Sequence, residues 1–117
     1  MADYSVCRLD EMEGSHGGGF KGVRAALGGT AFGINVIELP GGYLDYPEHD
    51  HSEDQQEEVY VPLAGSGEMD IEGERVALEP GVFVRVAPGT KRKVIPGAEG
   101  LTFLAVGAPA GSYQPRA

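Results

Sequence analysis

Glycine recurs at positions 65, 73, 81, 89 and 97, eight residues apart each time. A turn residue at that interval leaves room for one strand of about five or six residues and its turn, and too little for an ordinary helix. The intervening segments, 66–72, 74–80, 82–88 and 90–96, carry alternating apolar residues such as Met69/Ile71 and Val82/Val84/Val86. Glu72-Gly73 reads as a tight hairpin turn, Pro80-Gly81 and Pro88-Gly89 as turns, and Pro96-Gly97 as a loop. Before this block, residues 31–39 form a nearly continuous apolar strand closed by Pro40-Gly41-Gly42, and residues 100–106 supply a last strand after it. Many short strands at regular spacing predict an all-β sandwich or barrel and exclude a βαβ arrangement.

A chain of 117 residues fits one domain. The expected division is an N-terminal arm over 1–29, with one or two short peripheral strands, a barrel over 30–107 and a flexible tail over 108–117. Within the arm, residues 4–9 read as a short strand, 14–19 are too glycine-rich for regular structure, and 20–27 lie between a strand and a helical turn. The net charge of −9 and pI near 4.6 repel phosphate backbones and give no attraction to anionic membranes, so neither nucleic acid nor a membrane is an expected partner. Cys7 is the only cysteine, which excludes an intramolecular disulfide and a cysteine-rich zinc site. The N-terminus lacks the basic and apolar regions of a secretory signal, and no stretch approaches the ~20 apolar residues of a membrane span. The expectation is a soluble cytoplasmic protein.

The chemistry concentrates in His49-Asp50-His51 and Glu57-Glu58-Val59-Tyr60-Val61. Histidines one residue apart project to the same side of a strand, and a carboxylate on a neighbouring strand can return beside them. Two imidazoles and one carboxylate are a usual ligand set for a catalytic divalent metal. Alternation sends Glu57 and Glu58 to opposite faces. If Glu58 points inward, so do Tyr60 and Pro62, and Val59, Val61 and Leu63 point outward. Covering that row would contribute roughly 1.5–3 kcal/mol per side chain, which predicts a homodimer packed through this strand or cover by the N-terminal segment. If Glu57 points inward, the three aliphatics are core. The spacing to Gly65 favours Glu58, and Pro62, without an N–H, marks an edge or a bulge. Tyr60, on the Glu58 face, is the tyrosine placed to act as acid or hydrogen-bond donor. His16 lies in the glycine-rich arm, from which it could supply an imidazole or sit as a simple surface residue.

These residues resemble the first motif of the cupin superfamily, small jelly-roll barrels: Gly42, then His49-Asp50-His51, Glu58, six residues, and Gly65. The gaps from Gly42 to His49 and from His51 to Glu58 are longer than the family pattern, an excess a loop absorbs at small entropic cost. Ala87-Pro88-Gly89-Thr90-Lys91-Arg92 resembles the second motif, with Arg92 where the family has a further metal histidine. The resemblance covers residues ~30–107. It implies an all-β, single-domain jelly-roll barrel in which His49, His51 and Glu58 hold Fe, Mn, Ni or Zn. It also implies a small oxygenated or carboxylated metabolite as ligand, and chemistry of the dioxygenase, decarboxylase or isomerase type. The alternative is a metal-free module that binds or senses a sugar or organic acid.

Arg92 is the point of departure. A guanidinium ~4 Å from a divalent ion would cost about 8 kcal/mol at an effective dielectric near 20, so it cannot replace the missing ligand. Three places remain for it: paired with Glu57 or Glu58 in lieu of a metal, leaning aside to grip an anionic substrate, or exposed to solvent.

Overall fold

The computed structural model describes residues 2–116. After a 3-10 turn at Leu9–Glu11 come β1 (Phe20–Lys21), α1 (Val23–Leu27), β2 (Gly33–Leu39), β3 (Gln56–Ile71), β4 (Glu74–Leu78), β5 (Val84–Val86) and β6 (Arg92–Pro109). Every pairing is antiparallel, in the order β1-β2-β6-β3-β4, with β5 against the first part of β3. The expected all-β barrel is what the chain forms. No helix is long and apolar enough to cross a membrane among the described residues.

Period-2 alternation builds the interior. Ile37 and Leu39 of β2 lie opposite Phe103 and Leu101 of β6, and Tyr60 and Pro62 of β3 lie opposite Ala105 and Phe103. Apart from Pro62, these side chains, with Met69, Leu78, Val84, Val86 and Val94, make one buried cluster. The register that turns Glu58, Tyr60 and Pro62 inward is therefore the one adopted.

Two local expectations are corrected and one is resolved. Residues 4–9 form no strand; the chain there is irregular up to the Leu9–Glu11 turn. Residues 20–27 hold both alternatives in succession, the two-residue β1 and then the five-residue α1, which Gly28 ends in the left-handed conformation at φ 72°. The glycine period overcounts turns. Glu72-Gly73 is a true hairpin turn, with φ of 51° and 93° joining the Ile71–Glu74 pair. Gly65, Gly67 and Gly97, by contrast, lie inside long strands. β3 is 16 residues and β6 is 18, and they run together with register shifts at Pro62/Ala64 and Gly65/Gly67. A Cβ on Gly65 would lie 2.1 Å from Gly100 O, and one on Gly67 2.4 Å from Ile95 O. Here glycine permits close backbone approach at bulges that bend the strands into a barrel. The bulge at Pro62 is the one its missing N–H predicts.

Candidate metal centre

Residues 49–51 enter the barrel as an extended segment. His49 N donates to Arg92 O and Arg92 N to His49 O, both at 3.0 Å, while His51 N donates to Pro88 O at 2.7 Å. These bonds fix the strand-like geometry that turns both imidazoles to one side, their ring centroids 5.2 Å apart. Asp50, between them, faces away and accepts from Ser52 N and Oγ, which hold its carboxyl below the usual range. β3 carries Glu58 to meet the rings. His51 Nε2 lies 3.1 Å and His49 Nε2 3.7 Å from Glu58 Oε1. One ligand atom from each of His49, His51 and Glu58 falls within 4.8 Å of the others.

The outward nitrogens are tied as well. His51 Nδ1 lies 3.0 Å from Asp54 Oδ1, and His49 Nδ1 lies 3.3 Å from Pro47 O. An acceptor at Nδ1 keeps the proton there and leaves the Nε2 lone pair for a metal. The donor set, its convergence and these outer partners fit a divalent cation that two histidines and a carboxylate would hold. Asp54 and Pro47 are partners of the histidines that the sequence alone does not single out. The His51-x-x-Asp54 spacing across a turn, closed by Gln55 N to His51 O at 2.7 Å, is the signal that could have found Asp54.

Tyr60 stands directly behind the triad. Its hydroxyl donates to Glu58 Oε1 at 2.6 Å and lies 3.4 Å from His49 Nε2. Burial first, and then the Glu58 charge, push its pKa far above the ordinary phenol value. Tyr46, edge-on to both His49 and Phe103, is pushed up to about 12, by burial and then by Glu58. Both are neutral donors at physiological pH. For Glu58 itself, burial pushes upward. The nearby His49 imidazole and the Tyr60 hydrogen bond, with the charges of His51 and Arg92, outweigh it and leave the carboxyl below its usual value. His49 moves up, chiefly through Glu58, against the opposing effect of burial.

Arg92 is wholly buried, which removes the exposed alternative. No carboxylate lies within ion-pair distance of it among the described residues, so it does not pair with Glu57 or Glu58 either; Glu57 faces outward and pairs with Arg85. Its Nη2 donates to Ala87 O at 3.2 Å, with Val86 O at 3.5 Å, while Nε and Nη1 have no partner. The guanidinium thus leans aside against backbone carbonyls, and its charge is still felt at Glu58 and His49.

A cavity of ≈ 570 Å³ opens beside the triad. Phe20, Ile37, Leu39 and Tyr46 are among its walls, and the imidazoles of His16 and His49 both border it. This volume suits a small organic molecule.

An antiparallel barrel in which two histidines and a glutamate converge is the architecture of a cupin. The Cupin_2 (cupin domain) family model matches residues 35–107, and the chain belongs to this family. Among solved structures, a cupin protein from Bacteroides fragilis is 26% identical, with a TM-score of 0.83 over 100% of this chain and 93% of that one. A sugar phosphate isomerase of the cupin superfamily from Silicibacter pomeroyi is 23% identical, with a TM-score of 0.71 over 90% and 76%. KdgF from Halomonas sp. is 14% identical, with a TM-score of 0.72 over 93% and 94%. The last two establish likeness of fold alone. No curated protein matches the chain.

Proposed function

We propose that the chain is a metal-dependent cupin that acts on a small oxygen-bearing molecule held in the cavity beside His49. The observation that carries this reading is the double constraint on the histidines: each Nε2 faces Glu58 while each Nδ1 is engaged by Asp54 or Pro47. Fe, Mn, Ni and Zn all accept this donor set. When bound, such an ion supplies Lewis acidity and open coordination positions for an oxygen ligand. The chain's own residues do the rest. Glu58 offers a carboxylate held ionised by its neighbours. Tyr60 keeps its proton and donates a hydrogen bond to Glu58 Oε1, so it orients that carboxylate beside His49 Nε2.

Titration with Mn(II), followed by loss of the free-ion electron paramagnetic resonance signal, tests the metal reading. Saturation near one ion per chain, abolished in Glu58→Ala, supports it; no binding, or equal binding in Glu58→Ala, refutes it. Neighbours described as sugar phosphate isomerases make isomerisation one reaction to assay, alongside oxygen uptake and decarboxylation.

One observation favours a second reading, a metal-free binding module. Glu58 Oε1 already has Tyr60, His51 and His49 around it, and buried Arg92 balances its charge without adding a ligand. The same titration separates the two.

We further propose that the chain forms a homodimer through the outer face of β2, β6 and β3. Val36, Leu104 and Val61 form one cross-strand row there, and Ile34, Val106 and Val59 form the next. The N-terminal arm reaches the β1–β2 edge, where residues 7–10 flank Lys21 and Glu38. Val36 is buried, but Leu63 stays 47% and Phe83 70% exposed on the β3 side. A second copy laid on that side would cover what the arm leaves open.

A further inference from the structure

We propose that the cavity beside His49 selects an uncharged, ring-sized molecule, and that His16, projecting from the glycine-rich arm, is a specificity-determining residue that hydrogen-bonds it. This rests on the placement of the binding cavity proposed above and does not require the metal.

His16 is positioned by a closed loop. Ser15 and Phe20 exchange backbone hydrogen bonds at 2.9 and 3.2 Å, and Gly18 N donates to Ser15 O at 3.1 Å. Residues 16, 17 and 18 have φ of 54°, 81° and 96°, three consecutive left-handed conformations. A Cβ on Gly14 would lie 2.0 Å from Gly18 O, and one on Gly19 2.6 Å from Glu38 O, so the loop closes only because these positions are glycine. His16 is the one residue from 16 to 19 with a side chain, and it sits in a conformation that favours glycine. A strained backbone carrying a polar side chain at a cavity rim is the kind of outlier from which a functional role is argued. Its ring stands edge-on to Phe20 with centroids 5.9 Å apart, and Ser15 Oγ lies 3.0 Å from Nδ1. Nδ1 is thereby engaged, and recognition falls to Nε2.

The walls define the ligand class. Phe20, Tyr43 and Tyr46 supply aromatic rings, and Ile37 and Leu39 supply apolar surface. No lysine or arginine borders the cavity among the described residues; Asp45 does, and Glu38 is tied to Lys21 at 2.7 Å. Arg92 is sealed away from it. A phosphate or free carboxylate would meet an acidic wall in a chain of net charge −9, with no fixed cation to hold it. An uncharged ring with a hydroxyl or carbonyl group meets aromatic and aliphatic walls and an imidazole instead.

The test is titration of the chelator-treated, isotope-labelled full chain with phenol, benzoate and inorganic phosphate, read by nuclear magnetic resonance at the His16 and Tyr46 side chains. Phenol should bind saturably, at least about tenfold more tightly than either anion, a gap of ~1.4 kcal/mol. His16→Asn keeps a residue that tolerates the left-handed backbone, and His16→Gly relieves the strain. Both should weaken phenol at least about fivefold, ~1 kcal/mol, while the melting temperature holds or, for His16→Gly, rises. Absence of saturable phenol binding, tighter binding of benzoate or phosphate, or undiminished binding in His16→Gly would overturn the proposal. Metal uptake is measured separately: phenol selectivity without metal uptake leaves this inference standing and removes the metal reading, and the reverse result does the opposite.

Discussion

The Tyr60 hydroxyl donates to Glu58 Oε1 at 2.6 Å, the same oxygen that His51 Nε2 approaches at 3.1 Å. One carboxylate oxygen is thus the meeting point of a phenol and an imidazole two strand positions and one loop away. Tyr60→Phe removes a charge-assisted bond from a mostly buried acid. It should destabilise the metal-free protein by ~1.5–3 kcal/mol, read by urea unfolding, and raise the Glu58 pKa. A change under ~0.5 kcal/mol would mean that the bond contributes nothing net.

Protonation of His49 and ionisation of Glu58 favour each other, which sets a pH window. The His49 pKa is raised, so its contribution to stability is full below the ordinary value of 6.5 and is lost as pH rises through the folded value. The Glu58 pKa is lowered, so its contribution is present above the ordinary 4.5 and is lost as pH falls through the folded value. The metal-free protein should therefore gain more from this pair near about pH 5.5 than near about pH 8, while metal uptake, which must displace the His49 proton, should improve over the same rise. Urea unfolding at both pH values, beside His49→Gln, checks the first; the variant should lose the difference. Metal titrations at both pH values check the second.

Arg92 is a fully buried cation with two unpartnered nitrogens. Arg92→Met should leave stability unchanged or raise it by ~1–4 kcal/mol, because a buried charge without an ion-pair partner is exchanged for a packed apolar chain. Arg92→His removes a repelling charge and places an imidazole on the residue that bridges His49. It should raise metal affinity by at least about tenfold, ~1.4 kcal/mol, measured by competition with a chromophoric chelator. Unchanged affinity would show that Arg92 does not act on the site.

The barrel and the first-motif donors were legible because both follow from period 2. Alternation at Met69/Ile71 and Val82/Val84/Val86 and the apolar run over residues 31–39 mark strands, and His-x-His with Glu58 spaced from Gly65 marks one inward face. Strand length was not legible. Gly65, Gly67 and Pro96-Gly97 look like punctuation, and only the partner strand tells a bulge from a turn, since what Gly65 avoids is Gly100 O, 35 positions away in sequence. The posture of Arg92 was open for a related reason: the carbonyls of Val86 and Ala87 that receive it depend on how the turn before β6 closes. His16 borders the same cavity as His49 only because β1 pairs with β2, a contact too short to leave a pattern.

The proposed dimer puts Val61 at the centre of an outer apolar row, paired across to Leu104. Val61→Glu should shift the sedimentation coefficient to that of a monomer and leave the circular dichroism spectrum unchanged, because the site lies outside the barrel core. Unchanged mass, or a monomeric wild type, would contradict that interface.

The most direct test of the account is the metal content of untagged protein after mild dialysis, measured by inductively coupled plasma mass spectrometry beside His49→Ala. Close to one transition-metal ion per chain is expected in the wild type and essentially none in the variant. A wild type that stays empty after exposure to Fe(II), Mn(II), Ni(II) and Zn(II) would contradict it, as would a variant that retains the metal.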